Sequence, residues 1–406
     1  MRKGKLGAVN SYYEYRQKKI KREQLIILFS GILFIIIIFL VTGRFESDLK
    51  LLLNRGRSNL EIAEKSVYLD HTDISYHLYR APEVAKGIYI PARKMNDYER
   101  YIKLAKETNV NSFVIDVKDD MGYLTFATDN QALVDKGCIL EKPPIEDIEG
   151  MMNELCEANI YPIARIVAFK DNVVAKEDLE RAVKSVDGSI YTTSAKDTWL
   201  DPYNKENWQY LLEVSREAAR VGFKEIQFDY VRFHESMNEN SVLLDENISK
   251  TEIIVEFIQY ICENLQKDGI KVSADVFGAV VLSDIDARIV GQDFTEMSKY
   301  LDYICPMVYP SHYAEGTFGI ESPNADPYQV ILKTMNIAQS KVESIEGEKK
   351  AIIRPWLQDF TMKNLKPYTK YGAEELKAQI KGANDAKVEE WLFWNAAGNY
   401  TEEGLK

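Results

Sequence analysis

From Lys86 to the C-terminus the sequence alternates between short β-like runs and longer helix-like runs, and it does so eight times. KGIYIPA (86–92) is followed by a helical pattern over 95–109, and SFVIDVKDD (112–120) by one over 145–159. YPIARIVAFK (161–170) precedes a helix over 205–222, and EIQFDYVRF (225–233) one over 249–269 that ends at Gly269. KVSADVFGA (271–279) leads into a broadly helical 286–301, and YICPMVYP (303–310) into a helix over 327–344. KAIIRPWLQDF (350–360), a helix over 372–385 and EEWLFWNAAG (389–398) complete the series. Strands regularly separated by helices imply parallel pairing, and a count of eight predicts a (β/α)8 barrel. A doubly wound open sheet is the alternative, and it explains the count less naturally. No outer helix follows the eighth strand, which leaves residues 60–85 to cover that gap.

Strand side chains alternate between two faces. In the second run Phe113, Ile115 and Val117 share one parity, Asp116 and Lys118 the other. Arg165 opposes Ala164 and Ile166, Gln227 and Asp229 oppose Ile226 and Phe228, and Ser273 and Asp275 oppose Val272, Ala274 and Val276. Arg354, Trp356 and Gln358 also share a parity. An ionised group against an apolar helix layer costs several kcal/mol, so the charged parity is expected to face the barrel interior. Asp116, Arg165, Asp229 and Asp275 fall late in their runs, at the strand ends where barrels of this kind carry their sites. The sequence therefore predicts a shared cup holding Asp116, Lys118, Arg165, Gln227, Asp229 and Asp275. Arg232, Tyr309, Trp356, Gln358 and Trp394 are expected around it as substrate-binding residues. Structural ion pairs of Asp229 with Arg165 and of Asp116 with Lys118 are the bland alternative for any one pair. Trp356 and Trp394 read equally well as core plugs.

Upstream, Leu25–Gly43 is uncharged and 19 residues long, enough to cross a bilayer as a helix. The 24 residues before it carry eight basic and two acidic side chains, which predicts a cytoplasmic tail, and no small-residue cleavage pattern follows. The expected organisation is a basic tail (1–24), a transmembrane signal anchor (25–43), a spacer (44–85) and an extracellular barrel (86–406). With −12 overall, the chain beyond the tail carries −18. That charge repels phosphate backbones and argues against nucleic acid as a partner. The sequence has no H-E-x-x-H, no G-x-x-x-x-G-K-[ST] and no G-x-G-x-x-G, and its four cysteines lack metal-ligand spacing, so no cofactor or metal is expected.

Two carboxylates on neighbouring strand ends, with 24 Tyr and 5 Trp in the chain, fit glycoside hydrolysis. One carboxylate, kept ionised by a cation, attacks or supports the anomeric carbon. The other, against an apolar wall, protonates the leaving oxygen. Asp229 beside Arg165 or Arg232 suits the first role, and Asp275 among Val272, Val276 and Phe277 suits the second. The long segment 170–204, with Tyr191, Trp199, Asp201 and Tyr203, reads either as a sugar-stacking platform or as an excursion packed by its own aromatics.

NIYPIARIVAFKD (159–171), WLDPYNKENW (199–208), GFKEIQFDYVRF (222–233) and SADVFG (273–278) resemble the bacterial "putative glycosyl hydrolase domain" family. The resemblance runs from about Lys86 to the C-terminus. It implies a surface protein, anchored or secreted, with a barrel similar at a distance to those of alpha-amylases and alpha-galactosidases. In those barrels the nucleophile is an Asp at the end of strand four, the position of Asp229. Their acid is a Glu after strand five, where this chain has Asp275, so the resemblance leaves the acid open. The leading expectation is a glycosidase acting outside the cell on a polysaccharide such as a cell-wall or capsule glycan. A catalytically inactive glycan-binding or envelope-assembly barrel and a metal-dependent deacetylase are the alternatives.

Overall fold

A computed structural model describes residues 81–406 apart from 348 and 367. The basic tail, the anchor segment 25–43 and nearly all of the spacer lie outside the described residues. Among those described, no helix is long and apolar enough to cross a membrane.

The six strands β1 (Lys86–Ile90), β2 (Ser112–Lys118), β3 (Tyr161–Val167), β4 (Glu225–Asp229), β5 (Lys271–Phe277) and β6 (Tyr303–Met307) each pair in parallel with the next. The seventh position is shared by β7 (Ile352–Ile353) and β8 (Trp356–Gln358), both beside β6. Strand β9 (Trp391–Trp394) pairs with β8 on one side and β1 on the other. That last pairing closes the barrel and rules out an open doubly wound sheet. The single run expected over 350–360 is broken at Arg354–Pro355, because proline has no N–H to give the ladder.

The helices form where the apolar spacing and caps place them. α1 (Tyr98–Glu107) follows β1 and α2 (Ile148–Glu157) follows β2, and Asn204 caps α3 (Lys205–Arg220) by accepting from the Glu206 N–H. Ser249 and Glu252 form a capping box at the start of α4 (Lys250–Leu265). The expected helix over 286–301 is instead α5 (Asp284–Val290) and a further turn (Phe294–Met297), separated by Gly291 at φ +81°. A Cβ there would lie 2.8 Å from the Lys250 carbonyl oxygen, so both the turn and the contact with α4 require glycine. α6 (Pro327–Glu343) and α7 (Ala373–Asp385) complete the outer layer, and Pro327 opens α6 at a position where its missing N–H costs nothing.

The strand parities separate two apolar regions. Phe113, Ile115, Ala164, Ile166, Ile226, Phe228, Val272 and Val276 pack outward against the helices. Tyr89, Val114, Tyr161, Ile163, Tyr303, Cys305 and Leu392 fill the barrel. The lower interior also holds charge. Arg354 donates to Glu225 Oε1 at 2.7 Å and Glu390 Oε2 at 2.5 Å, and its guanidinium lies 3.6 Å from the centre of the Tyr303 ring. Polar residues early in the strands thus serve the barrel's own packing. Those late in the strands face a cavity.

Candidate active site

The cavity, of about 190 Å³, opens at the C-terminal ends of the strands. Of the residues expected there, Arg165, Asp229, Arg232, Asp275, Tyr309, Trp356 and Trp394 line it. Asp116 stands directly behind Arg165, opposite it in the β2–β3 register.

Arg165 organises one wall. It is fully buried, and it donates from Nε and Nη2 to Asp229 Oδ2 at 3.0 and 2.6 Å. Its Nη1 donates to Asp116 Oδ1 at 2.7 Å and, more weakly, to Asp120 Oδ2 at 3.5 Å. Asp116 in turn accepts from the Tyr89 hydroxyl at 2.6 Å, which fixes the far side of the guanidinium. Burial pushes the Asp116 carboxyl up, while Arg165 and the Tyr89 hydrogen bond pull it back. Asp229 is the last residue of β4, and its Oδ1 accepts from the backbone N–H of Tyr230 at 2.7 Å. Tyr230 takes a left-handed conformation at φ +51°, so the strand expected over 225–233 stops at Asp229. The chain turns there, and the carboxylate sits on the rim of the cup. Three donated hydrogen bonds, two of them charge-assisted, hold Asp229 in one orientation.

The opposite wall treats a carboxyl group differently. Asp275 is 2% exposed and has no cation bonded to it among the described residues; Trp356 Nε1 donates to its Oδ1 at 2.7 Å. Burial, reinforced by the charge of Asp229, pushes Asp275 well above the usual carboxylate range. The Oδ2 atom has no hydrogen-bond donor among the described residues and is the atom on which a proton would sit. Trp394 stands edge-on to Trp356 at 5.7 Å and stacks on Tyr89 at 4.1 Å, 20° from parallel. The two tryptophans belong to the barrel's inner apolar cluster and also line the cavity. They form a wall of the cavity and position Asp275 and Tyr89.

Four expected residues do not line the cavity: Asp116, behind Arg165, and Lys118, Gln227 and Gln358. β2 carries a bulge between Asp116 and Lys118, and Lys118 pairs in register with outward-facing Ile166. The extra residue reverses the parity read from the sequence. Lys118 points away from the cup and is fully buried, 2.9 Å from Asp171 Oδ2 and donating to the Val167 carbonyl at 2.7 Å. Its pairing is with Asp171, not Asp116. Gln227 faces inward but one layer lower, where its amide donates to Cys305 Sγ at 3.2 Å. Gln358 is consumed by the backbone of Ser311 and Phe360 at 3.1 and 2.8 Å.

The sequence reading missed Asp120, Tyr230 and Met307, which line the cavity, as does Phe277, expected as apolar wall beside Asp275. Asp120 lies beyond the end of β2, its side chain 45% exposed; burial raises its pKa, but Arg165 and Lys170 outweigh it and hold the carboxyl below its usual value. The Asp119–Asp120 doublet was the available signal. Asp119 Oδ1 accepts from the N–H groups of Met121, Gly122 and Tyr123, which shapes the turn that presents Asp120. The 170–204 excursion contributes no side chain to this cavity. Trp199 is 1% exposed, packed edge-on against Tyr230 and His234, and the segment is stitched to itself through Lys170–Trp199 and Ala182–Leu200 bridges.

A closed (β/α)8 barrel with two carboxyl groups in opposite environments, in one cup walled by aromatic rings, is a barrel of the glycoside hydrolase type. The chain belongs to the family described as "Putative glycosyl hydrolase domain", whose model matches residues 87–400. No curated protein sequence matches it. Among solved structures, a hypothetical protein from Ruminiclostridium thermocellum is 37% identical, over 47% of this chain and 97% of that one, with a TM-score of 0.42. The glycoside hydrolase domain of PgaB (BpsB) from Bordetella bronchiseptica superposes over 78% of this chain and 95% of its own, at 11% identity and a TM-score of 0.56, a likeness of fold. The spore cortex-lytic enzyme SleL of Bacillus cereus is 10% identical over 79% of this chain and 72% of its own, with a TM-score of 0.46.

Proposed function

We infer that the barrel hydrolyses a glycosidic bond in a polysaccharide, with Asp229 as nucleophile and Asp275 as general acid. The observation that carries this is the asymmetry of the two carboxyl groups. Asp229 accepts from a guanidinium and a backbone N–H, whereas Asp275 is buried against a tryptophan and pushed well up. Two carboxyls whose environments divide them in this way have their acid and base roles assigned.

The sugar at the scissile bond would sit between Trp394, Tyr309 and the two carboxyls. Asp275 passes its proton to the glycosidic oxygen as the C1–O bond breaks, and Asp229 attacks C1 to give a glycosyl ester. Water then adds at C1, losing its proton to the Asp275 carboxylate, and Asp229 leaves. Configuration is retained, in keeping with the strand-four position of Asp229. Arg165 acts as a positioning residue: it orients Asp229, and Asp116 and Tyr89 orient Arg165.

The uncharged segment 25–43 with its basic flank supports a place for this reaction. It anchors the chain, with the tail in the cytoplasm and the barrel outside, near wall or capsule glycan. Protease applied to intact cells with a permeable wall should release the barrel; a barrel untouched by that treatment reverses the orientation. The chemistry is tested by incubating the full chain with wall and capsule polysaccharides, with and without chelator. Chelator-insensitive release of reducing ends is the expected result. Binding with no release in any of them makes the barrel a glycan-binding module, and release that chelator abolishes replaces the two-carboxylate mechanism.

A further inference from the structure

Arg232 is the second guanidinium of the cup, and unlike Arg165 it is not used up by the protein. It follows the left-handed turn at Tyr230, with Val231 taken into the outer core, so that the next side chain lines the cavity. It is 7% exposed. Its guanidinium lies 4.3 Å from the centre of the Phe277 ring and 5.2 Å from those of Trp199 and Tyr230. Three rings hold its plane without occupying any N–H. Nη1 donates to the Phe233 carbonyl at 2.9 Å and to Glu235 Oε2 at 3.3 Å. Nε and Nη2 have no acceptor among the described residues. Glu235 is itself a poor counter-ion, with its side chain 58% exposed.

Nε and Nη2 form an unmatched edge of a guanidinium that lines the cavity. The side-by-side N–H groups of that edge match two oxygens of a carboxylate or phosphate. Burial draws the Arg232 pKa down, against the pull of Glu235, so its compensation within the protein is incomplete. The chain beyond its basic tail carries −18, which repels a densely charged polyanion at long range.

We propose that Arg232 receives an anionic substituent of the sugar bound in the cup, so that the substrate is a mostly neutral glycan carrying isolated carboxylate or phosphate groups. This rests on the reading of the cup as a glycan site. It adds the substrate class.

The full chain carrying Asp229→Asn, which cannot turn over what it binds, is titrated on matched oligosaccharides of several linkages. One set is neutral, one carries a C6 carboxylate, and one a C6 phosphate. At least one acidic set is expected to bind about tenfold more tightly than its neutral counterpart, the margin of one bidentate arginine contact. Adding Arg232→Gln removes the preference, while Arg232→Lys, which keeps the charge and loses the fork, retains part of it. The carboxylate and phosphate arms distinguish the source of the anion. Equal binding of neutral and acidic sets, no binding by any acidic set, or a preference that survives Arg232→Gln overturns the proposal. Because the readout is binding, selective capture of acidic glycans that the wild type never cleaves sinks the hydrolytic reading alone. Cleavage confined to neutral glycans sinks this one alone.

Discussion

Replacing Asp275 by asparagine should make the protein more stable at neutral pH, and the gain should grow with pH. Asp275 has an ordinary pKa of 3.8 in the unfolded chain and a folded value well above it, first because it is buried and then because Asp229 is near. Between those two values the native state holds a proton that the unfolded chain has released. Stability therefore falls as pH rises through that window, by about 1.4 kcal/mol per pH unit at 25 °C from this one group. Below the window both states are protonated and the contribution vanishes; above it the loss is complete and constant. Asparagine keeps the shape and the Trp356 hydrogen bond and has no proton to lose. Denaturant unfolding of wild type and Asp275→Asn, repeated from about pH 4 to about pH 8, should give a difference that starts near zero and climbs with that slope until pH passes the folded value. Taking the difference cancels other raised carboxyls, Glu390 and Asp359 among them. A difference that stays flat across the range would mean that Asp275 titrates like a solvated carboxyl, and the assignment of Asp275 as the acid would fall with it.

Trp356→Phe removes the N–H that favours the Asp275 carboxylate, a bond to a charged group worth about 1.5–3 kcal/mol. The folded pKa of Asp275 should rise further. Since the acid must be protonated to work, the alkaline limb of kcat/KM against pH should move to higher pH, and a limb that stays put or moves down separates the tryptophan from the acid. Lys118→Met should cost about 3–5 kcal/mol in denaturant unfolding, because it strands the buried Asp171 carboxylate, and a loss under about 1 kcal/mol would contradict the Lys118–Asp171 pairing.

The barrel was legible because its determinants are periodic. Phe113, Ile115, Ala164, Ile166, Ile226 and Phe228 alternate with polar residues over whole strands, and that alternation fixed both the count of strands and the inward face. It also placed Arg165, Asp229 and Asp275 in one cup, with Asp116 behind Arg165. The inference failed where the period did. One inserted residue in β2 turns Lys118 to the outer face, and nothing in SFVIDVKDD marks the bulge. Asp120 and Tyr230 lie just past strand ends, where side-chain direction is set by turns and not by alternation. Gln227 and Gln358 have the right parity, but depth along the barrel axis and competing backbone partners decide whether an amide reaches the cavity. The break at Pro355 was visible in principle, since a proline inside a central strand argues against its continuity.

The central claim is that Asp229 carries the hydrolysis of a glycosidic bond. It is tested most directly by the release of reducing ends from a cleaved polysaccharide by wild type and Asp229→Asn, with thermal unfolding of both recorded alongside. The amide preserves shape, and Arg165 keeps its bond to Asp116, so the variant should still unfold in one cooperative transition. Its rate should fall to background, a loss of about a thousandfold or more, as removal of a group that reacts at the anomeric carbon requires. Wild-type rates in a folded Asp229→Asn variant would contradict the claim and leave the carboxylate as the structural partner of Arg165.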